Sequence, residues 1–276
     1  MPEGDVVWHT ARQLHAALAG HELARSELRW PTLATTDLTG RRTLEVVPRG
    51  KHLLHRLEGG LTLHSHLRME GSWRVHPAGR PPRLPRTTRA VLATATRLAV
   101  GDTLGMLDLV PTEAEEHLVG HLGPDLLGPH WSLPVALANL RRDPDRPIAA
   151  ALLDQRNLAG IGTIYASEPL FLRRVDPWRP VGAVPDATLE AVVETARMAL
   201  AAACRTPGPW EGRTTPRHLR ETRWVHGRVR SACLVCGTPI ALDPVGDAPH
   251  DRVFFHCPSC QASTPGATPR TSSRTQ

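Results

Sequence analysis

Apolar positions keep helical spacing from the first turn of the chain. Val7, Leu14 and Leu18 of VVWHTARQLHAALAG share one face, with Asp5 as an N-cap and Gly20 as a stop. A helix starting this early holds Pro2 and Glu3 in place, where a terminus is ordinarily frayed. From about Leu28 to Leu109 the texture changes to short strands and turns. HLLHRLEGGLTLHSHL predicts a hairpin that turns at Gly59-Gly60. On its second strand Leu61, Leu63 and Leu67 share one face, and Thr62, His64 and His66 share the other. The first face predicts a core; the second predicts a surface free to meet a ligand. Strand character resumes in RAVLATATRLAVGDTLGMLDL, after a proline- and arginine-rich loop from His76 to Arg89. Residues 1 to about 115 are therefore expected to form a sheet or sandwich.

Beyond GHLGPDLLGPHW the pattern turns helical, in VALANLRR, PIAAALLDQRNL, YASEPLFLRRV and PDATLEAVVETARMALAAACRT. Cysteines dominate from about 222. ASTPGATPRTSSRTQ closes the chain as a low-complexity tail expected to be disordered.

Composition sharpens this picture at two points. The 276 residues are 41% hydrophobic, enough for real cores, and carry a formal charge of +6 that favours an anionic partner such as nucleic acid. Of the 33 Lys+Arg residues only Lys51 is a lysine. A lysine is a compact, titratable ammonium where arginine is permanently charged, so Lys51 is a candidate functional amine. No apolar run reaches the length of a membrane span, and the N-terminus lacks signal-peptide character. A soluble, cytoplasmic protein with no membrane partner is the expectation. In that compartment the cysteines read as metal ligands rather than disulfides.

Cys233-x2-Cys236, then 20 residues, then Cys257-x2-Cys260 can set four thiolates around one Zn²⁺. Four thiolates close the coordination shell, so the zinc is expected to be structural, with no catalytic metal. Lone Cys204, on a predicted helix, reads as a core thiol. LAGIGTIYASE puts Gly160 and Gly162 between two helices, where backbone N–H groups and a helix N-terminus suit a phosphate; Arg141, Arg142, Arg156, Arg173 and Arg174 lie nearby in sequence. His64 and His66, with His55 across the hairpin, could ligate a second metal. A hydrogen bond from His66 to a phosphate is the better reading.

MPEG at the start, RGKHLL around Lys51, HLRMEG at 66–71, LLDQxxLAGIGTIYASE and the C-terminal CxxC…CPSCQ occur in one order. That set resembles the formamidopyrimidine-DNA glycosylase and endonuclease VIII family of base-excision repair enzymes, over residues 1 to about 262. The resemblance implies an α+β multidomain chain: an N-terminal catalytic β-sandwich with a leading helix (1–118), a helix–two-turn–helix DNA-binding domain (119–221), a four-cysteine zinc finger (222–262) and the tail (263–276). It implies a bifunctional glycosylase and lyase, monomeric, acting on damaged DNA. Once Met1 is removed, the amine of Pro2 attacks the sugar carbon bearing the damaged base. The resulting iminium drives β- and δ-elimination of the flanking phosphates. Glu3 would protonate the opening sugar ring, Lys51 would bind the adjacent phosphate and assist proton transfer, and His66 would contact phosphate. Met69 would fill the gap left by the flipped nucleotide, and Arg252 would grip phosphates beside the lesion.

Three departures qualify the resemblance. Thr163 stands where the family usually has a phosphate-binding asparagine. The start MPEGD is closer to the endonuclease VIII branch, in its actinobacterial form, than to MPELPE. The Arg-Arg-Phe-Gly wedge of the formamidopyrimidine branch is missing from 103–111, which reads TLGMLDLVP. The last two favour oxidised pyrimidines over 8-oxoguanine. The alternatives are an inactive lesion- or abasic-site-binding protein and a formamidopyrimidine-type glycosylase.

Overall fold

The computed structural model describes residues 2–205, 212–246 and 252–262. Met1 and the tail, on which two of the expectations bear, lie outside the described residues. Two compact units are present. One comprises the described residues of Met1–Asn139, Asp154–Gly162 and Leu200–Trp210; the other comprises those of Leu140–Leu153, Thr163–Ala199 and Glu211–Gln276.

In the first unit, α1 (Gly4–Leu18) buries Val7, Ala11, Leu14 and Leu18 along one stripe. Its cap is not Asp5. Glu3 occupies the extended N-cap position, and the first helical N–H, that of Gly4, donates to the carbonyl of Gly160 at 2.8 Å. The chain at 160 satisfies the helix end, so the helix begins one residue before Asp5 and buries that side chain. Gly20, at φ +80°, turns the chain away at the other end, a conformation glycine adopts without a Cβ clash.

Eight strands follow: β1 (Arg25–Leu28), β2 (Thr43–Arg49), β3 (His52–Leu57), β4 (Leu61–His66), β5 (Ser72–Pro77), β6 (Thr88–Ala93), β7 (Arg97–Asp102) and β8 (Met106–Pro111). They form two four-stranded sheets, ordered β2-β3-β4-β8 and β1-β6-β7-β5. Leu53, Leu57, Leu63 and Leu107 of the first meet Trp73, Ala90, Leu92 and Ala99 of the second in one core, joined by the α1 stripe. This is the expected β-sandwich. The hairpin β3–β4 forms as predicted, with Leu57 opposite Leu61 around Gly59 and Gly60, both at positive φ.

The other face of β4 is not free for a ligand. Thr62 and His64 are fully buried: Glu115, just before α2 (Glu116–Val119) in the chain after β8, folds back onto Thr62, and His64 is held between His52 and Asp108. Thr62 donates to the Glu115 carboxylate at 2.6 Å, and Arg56 forks onto the same carboxylate at 2.7 and 2.9 Å. Alternation reported two faces correctly, but both are interior. Only His66, at the strand end, remains partly open.

The predicted helices appear as α3 (Leu133–Leu140), α4 (Ile148–Leu153), α5 (Thr163–Leu172) and α6 (Asp186–Arg205). In the second unit the hairpin β9 (Ala241–Val245) and β10 (Arg252–His256) packs on α5. Glu168 of α5 is fully buried. Its carboxylate accepts the backbone N–H groups of Trp224, Val225 and His226 at 2.8–2.9 Å and the Thr214 hydroxyl. One side chain thus pins the segment leading into the cysteine cluster. Charge-assisted bonds of this kind contribute about 1.5–3 kcal/mol each, and donors left buried without an acceptor are costly. Glu168→Ala is expected to lower stability by about 3 kcal/mol or more, checked by calorimetric unfolding. Substitution of the exposed Glu190 on α6 should change it little.

Candidate active site

Three glycines set the geometry at one corner of the first unit. A Cβ on Gly4 would stand 3.0 Å from the Gly160 carbonyl oxygen. One on Gly50 would stand 2.9 Å from the Ala159 Cβ and 3.3 Å from the Gly160 nitrogen. Gly160 itself sits at φ +96°. Backbone therefore touches backbone, and the N-terminus, the β2–β3 turn and the LAGIG segment converge.

Each arrival carries a side chain. The Glu3 carboxylate, 1% exposed, accepts the Gly162 N–H at 2.8 Å. Gly162 must lack a side chain, since a Cβ there would lie 2.4 Å from the Glu3 carboxyl carbon. Pro2, next to it, is half-buried. Gly50 and Lys51 form the two-residue turn between Arg49 and His52, with Gly50 at φ +57°. Lys51 is half-buried at the tip of that turn.

Asp125 fastens this turn from behind. Its carboxylate accepts the Gly50 N–H at 2.6 Å and the Leu127 N–H at 3.0 Å, and lies 4.0 Å from the Arg49 guanidinium. Burial pushes its pKa up against the pull of those N–H groups and of Arg49. Sequence reasoning missed Asp125, although GPD, a turn-forming triplet within an apolar stretch, was its visible signal.

Two donors that the phosphate reading of LAGIG relied on are already taken. The Gly160 N–H donates to Gln155 Oε1 at 3.0 Å and the Gly162 N–H to Glu3, so both donors are engaged within the protein. Of the neighbouring arginines, Arg141 binds the Val181 and Val184 carbonyls, Arg156 pairs with Asp154 at 2.6 Å, and Arg173 donates to Thr195. The turn is built to hold Glu3.

Behind Lys51 lies a histidine cluster that spacing only half revealed. His52 sits directly opposite His66 in the β3–β4 register, whereas His55 faces the other way onto Thr43. His64 Nδ1 lies 2.9 Å from the Asp108 carboxylate, and its Nε2 lies 2.8 Å from His52 Nδ1. The chain is satisfied when His64 donates to Asp108 and His52 donates to His64. Both nitrogens of His64 are thereby engaged. His66 accepts the Arg68 N–H on Nδ1 at 2.9 Å, which leaves its proton on Nε2. Met69 follows on a turn, 58% exposed.

In the second unit, Thr163 starts α5 and its hydroxyl lies 3.3 Å from His226 Nε2, which donates to it because Nδ1 faces the Arg223 guanidinium. Arg252 is exposed at the start of β10, four residues before His256 leads into Cys257. The four cysteine Sγ atoms lie within 4.8 Å of one another, with Cys233–Cys260 at 3.9 Å and Cys236–Cys257 at 3.4 Å. A tetrahedron of Zn–S bonds of about 2.3 Å has edges of about 3.8 Å, so the donor set fits zinc. The N–H groups of Val235 and Cys260 point at the Cys233 and Cys257 sulfurs, where they would offset the negative charge of metal-bound thiolates. Cys204 stands apart, half-buried, its thiol pushed up to about 12 mainly by burial.

Comparison with known proteins identifies this arrangement. The pattern of the formamidopyrimidine-DNA glycosylase N-terminal domain matches residues 1–108, and that of the same enzyme's H2TH domain matches residues 122–210. A probable endonuclease 8 2 of Streptomyces coelicolor is 50% identical over 277 residues, covering 100% of this chain and 98% of its own.

The chain belongs to the formamidopyrimidine-DNA glycosylase family.

Within it the likeness runs to the endonuclease VIII branch of actinobacteria. The DNA-(apurinic or apyrimidinic site) lyase Nei2 of Mycolicibacterium smegmatis is 44% identical, covering 96% of this chain and 100% of that protein. The fold is that of Lactococcus lactis formamidopyrimidine-DNA glycosylase, solved non-covalently bound to DNA containing an abasic site: TM-score 0.77 at 23% identity, covering 95% and 100% of the two chains.

Histidines held below their ordinary range predict that the fold loses stability in acid. Burial holds the imidazole of His52 down to about 3 and those of His55 and His66 down to about 4, with the charges of Arg68 and Lys51 adding to the effect at His66. Their ordinary value is near 6.5, so below it the unfolded chain binds protons that the fold excludes. Stability should hold above about pH 7 and fall as pH drops from 6.5 towards 4. In His55→Gln the stability–pH slope over that window should be shallower by about one proton; an unchanged slope would show that His55 is not excluded from protonation.

Proposed function

We propose that the protein is a bifunctional DNA glycosylase and abasic-site lyase of base-excision repair that removes oxidised bases, pyrimidines preferentially. The observation carrying this reading is the buried Glu3 carboxylate, hydrogen-bonded to Gly162 beside Pro2 and joined through Gly160 to the Lys51 turn. Removal of Met1 frees the secondary amine of Pro2. An α-amino group titrates near ~8 against about 10.4 for lysine, so it is the better nucleophile at cellular pH. Its lone pair attacks C1′ of the damaged nucleotide. The glycosidic bond breaks and the base leaves with the bonding electrons; the proton shed by the Pro2 nitrogen passes to the Glu3 carboxylate, which delivers it to the ring oxygen as the nitrogen lone pair forms the iminium and the sugar opens. The iminium formed acidifies the C2′ proton, whose loss expels the 3′ phosphate; a second elimination expels the 5′ phosphate.

The remaining groups serve binding. Lys51 neutralises the adjacent phosphate and assists proton transfer, His66 donates from Nε2 to phosphate, and Thr163 and Arg252 grip the flanking backbone. Met69, exposed on its turn, enters the space vacated by the flipped nucleotide. One Zn²⁺ held by Cys233, Cys236, Cys257 and Cys260 stiffens the segment that presents Arg252. No position is left on it for substrate, and no other metal is used. The preference for pyrimidines follows the MPEGD start and the absence of an Arg-Arg-Phe-Gly wedge at 103–111. The working parts are residues 1–118 for catalysis, 119–221 for DNA binding and 222–262 for the finger, in a cytoplasmic monomer acting on the nucleoid.

Borohydride trapping on an abasic-site oligonucleotide tests this directly, because the chain's only amines are its terminus and Lys51. The adduct should form with processed protein, survive Lys51→Arg and vanish when Met1 is retained. An adduct lost in Lys51→Arg and indifferent to Met1 would move the nucleophile to the lysine. Binding without any adduct would favour an inactive lesion-binding protein. Gly162→Ala should push the Glu3 carboxylate off the position-162 N–H, cutting turnover by about 10²-fold and lowering stability by about 1–3 kcal/mol, the usual cost of overpacking a buried contact.

A further inference from the structure

The proline- and arginine-rich segment from His76 to Arg89 has no part in the site described above. Residues 72–101 hold Arg74, Arg80, Arg83, Arg86, Arg89 and Arg97 and no acidic residue. They thus carry a charge of +6, the whole formal excess of the chain, while the rest of the sequence is balanced. Among the described residues none of these six arginines makes an ion pair. An uncompensated cationic surface costs self-repulsion and is relieved by an anionic partner.

Topology turns this charge into a track. β5 and β6 both run antiparallel to β7 and flank it, so they are parallel to each other and must be joined by a crossover. The crossover is the segment 78–87. It starts at the far end of the sheet, beside Arg97, and returns to the end where Thr88 faces Asp102. Leu84 anchors it on Val91, Ala93, Leu98 and Val100, the outer face of the sheet. Between the strands it carries Arg80, Arg83 and Arg86, all exposed, at intervals of three. Pro81, Pro82 and Pro85 favour an extended path over 81–85, between a turn closed by the Arg80 N–H on the Pro77 carbonyl and one closed by the Thr88 N–H on the Pro85 carbonyl, so the three arginines are spread along the crossover rather than gathered at one point.

The track ends at the corner that carries Met69. The Thr103 N–H donates to the Thr87 carbonyl at 3.0 Å, and the Gly105 N–H donates to the His66 carbonyl at 2.9 Å. Gly105 lacks a side chain where the Arg68 stem lies across it, since a Cβ there would fall on Arg68 Cγ. The arginine edge thus leads along the outer face of the second sheet to the turn bearing His66, Arg68 and Met69.

We propose that Arg80, Arg83 and Arg86 form an auxiliary DNA track, gripping phosphates of the duplex flank beyond the lesion. The contact is to the backbone alone. Residues 77–90 hold no aromatic side chain on which an unpaired base could stack, so a paired flank fits better than a single strand. Guanidinium forks at regular intervals match phosphate oxygens without reading sequence. This inference rests on the chain acting on DNA, and it adds a footprint longer than the lesion site requires.

Salt dependence of binding tests it. Two duplexes carry the same central abasic-site analogue, one of about one helical turn and one of about four turns. Each phosphate contact contributes about 0.9 to the slope of log affinity against log salt. For the unaltered protein the long duplex should be steeper than the short one by about 2–3. The variant Arg80→Gln/Arg83→Gln/Arg86→Gln should show the short-duplex slope on both, bind the short duplex as before and keep its borohydride adduct on it. The corresponding triple lysine variant should retain most of the extra slope. Equal slopes for the unaltered protein and the glutamine variant on long DNA overturn the proposal, as does loss of the extra slope in the lysine variant. If neither protein traps DNA yet the slopes still differ, the catalytic reading fails and the track stands.

Discussion

Contact between glycine backbones at Gly4, Gly50 and Gly160 is the constraint on which the site depends. A Cβ at Gly4 or Gly50 would stand 2.9–3.3 Å from atoms of Ala159 and Gly160, so segments far apart in sequence would have to draw back from one another. Without such side chains, the Gly4 N–H reaches the Gly160 carbonyl, the helix starts two residues earlier than an Asp5 cap would place it, and Glu3 falls onto the N–H of Gly162. Close approach is the reason for glycine here as much as backbone freedom, although Gly50 and Gly160 also need positive φ. A terminus so bound is no longer a frayed end.

Buried carboxylates repeat one device through both units. Glu3, Asp125 and Glu168 each sit in the interior and each accept backbone N–H groups from a different part of the chain. A buried carboxylate is tolerated when such donors replace its water, and each then fastens a loop more firmly than apolar packing alone. Asp125 fixes the turn that bears Lys51, and Glu168 fixes the segment entering the cysteine cluster. Neither needs to touch substrate to matter.

Charge is arranged on the same plan. The hairpin histidines are buried neutral, with Asp108 tethering the inner end of their chain and His66 left pointing outward. The excess positive charge lies instead in residues 72–101, half of it on the crossover between β5 and β6, a connection required by the parallel placement of those strands. A loop made obligatory by topology thus doubles as a cationic surface.

Much of this was legible before any coordinates. Helical spacing at Val7, Leu14 and Leu18 named the face that is buried, alternation in LTLHSHL named the hairpin, and the two CxxC pairs named the metal donors. These signals are local: each depends on residues within a few positions of one another, and the same few positions decide the outcome. The buried state of Thr62 and His64, the pairing of His52 with His64, the roles of Asp125 and Glu168 and the occupied N–H groups of the LAGIG turn were not legible. Each depends on what a distant segment lays over the residue. Alternation says that a strand has two faces and cannot say that Glu115 will cover the second; a glycine says that space is needed and not which backbone will fill it. The sequence by itself determined the main elements and the four cysteines whose sulfurs come together. Tertiary structure alone decided which side chains are exposed and which are held inside, because burial and hydrogen-bond partners are properties of segments brought together from across the chain.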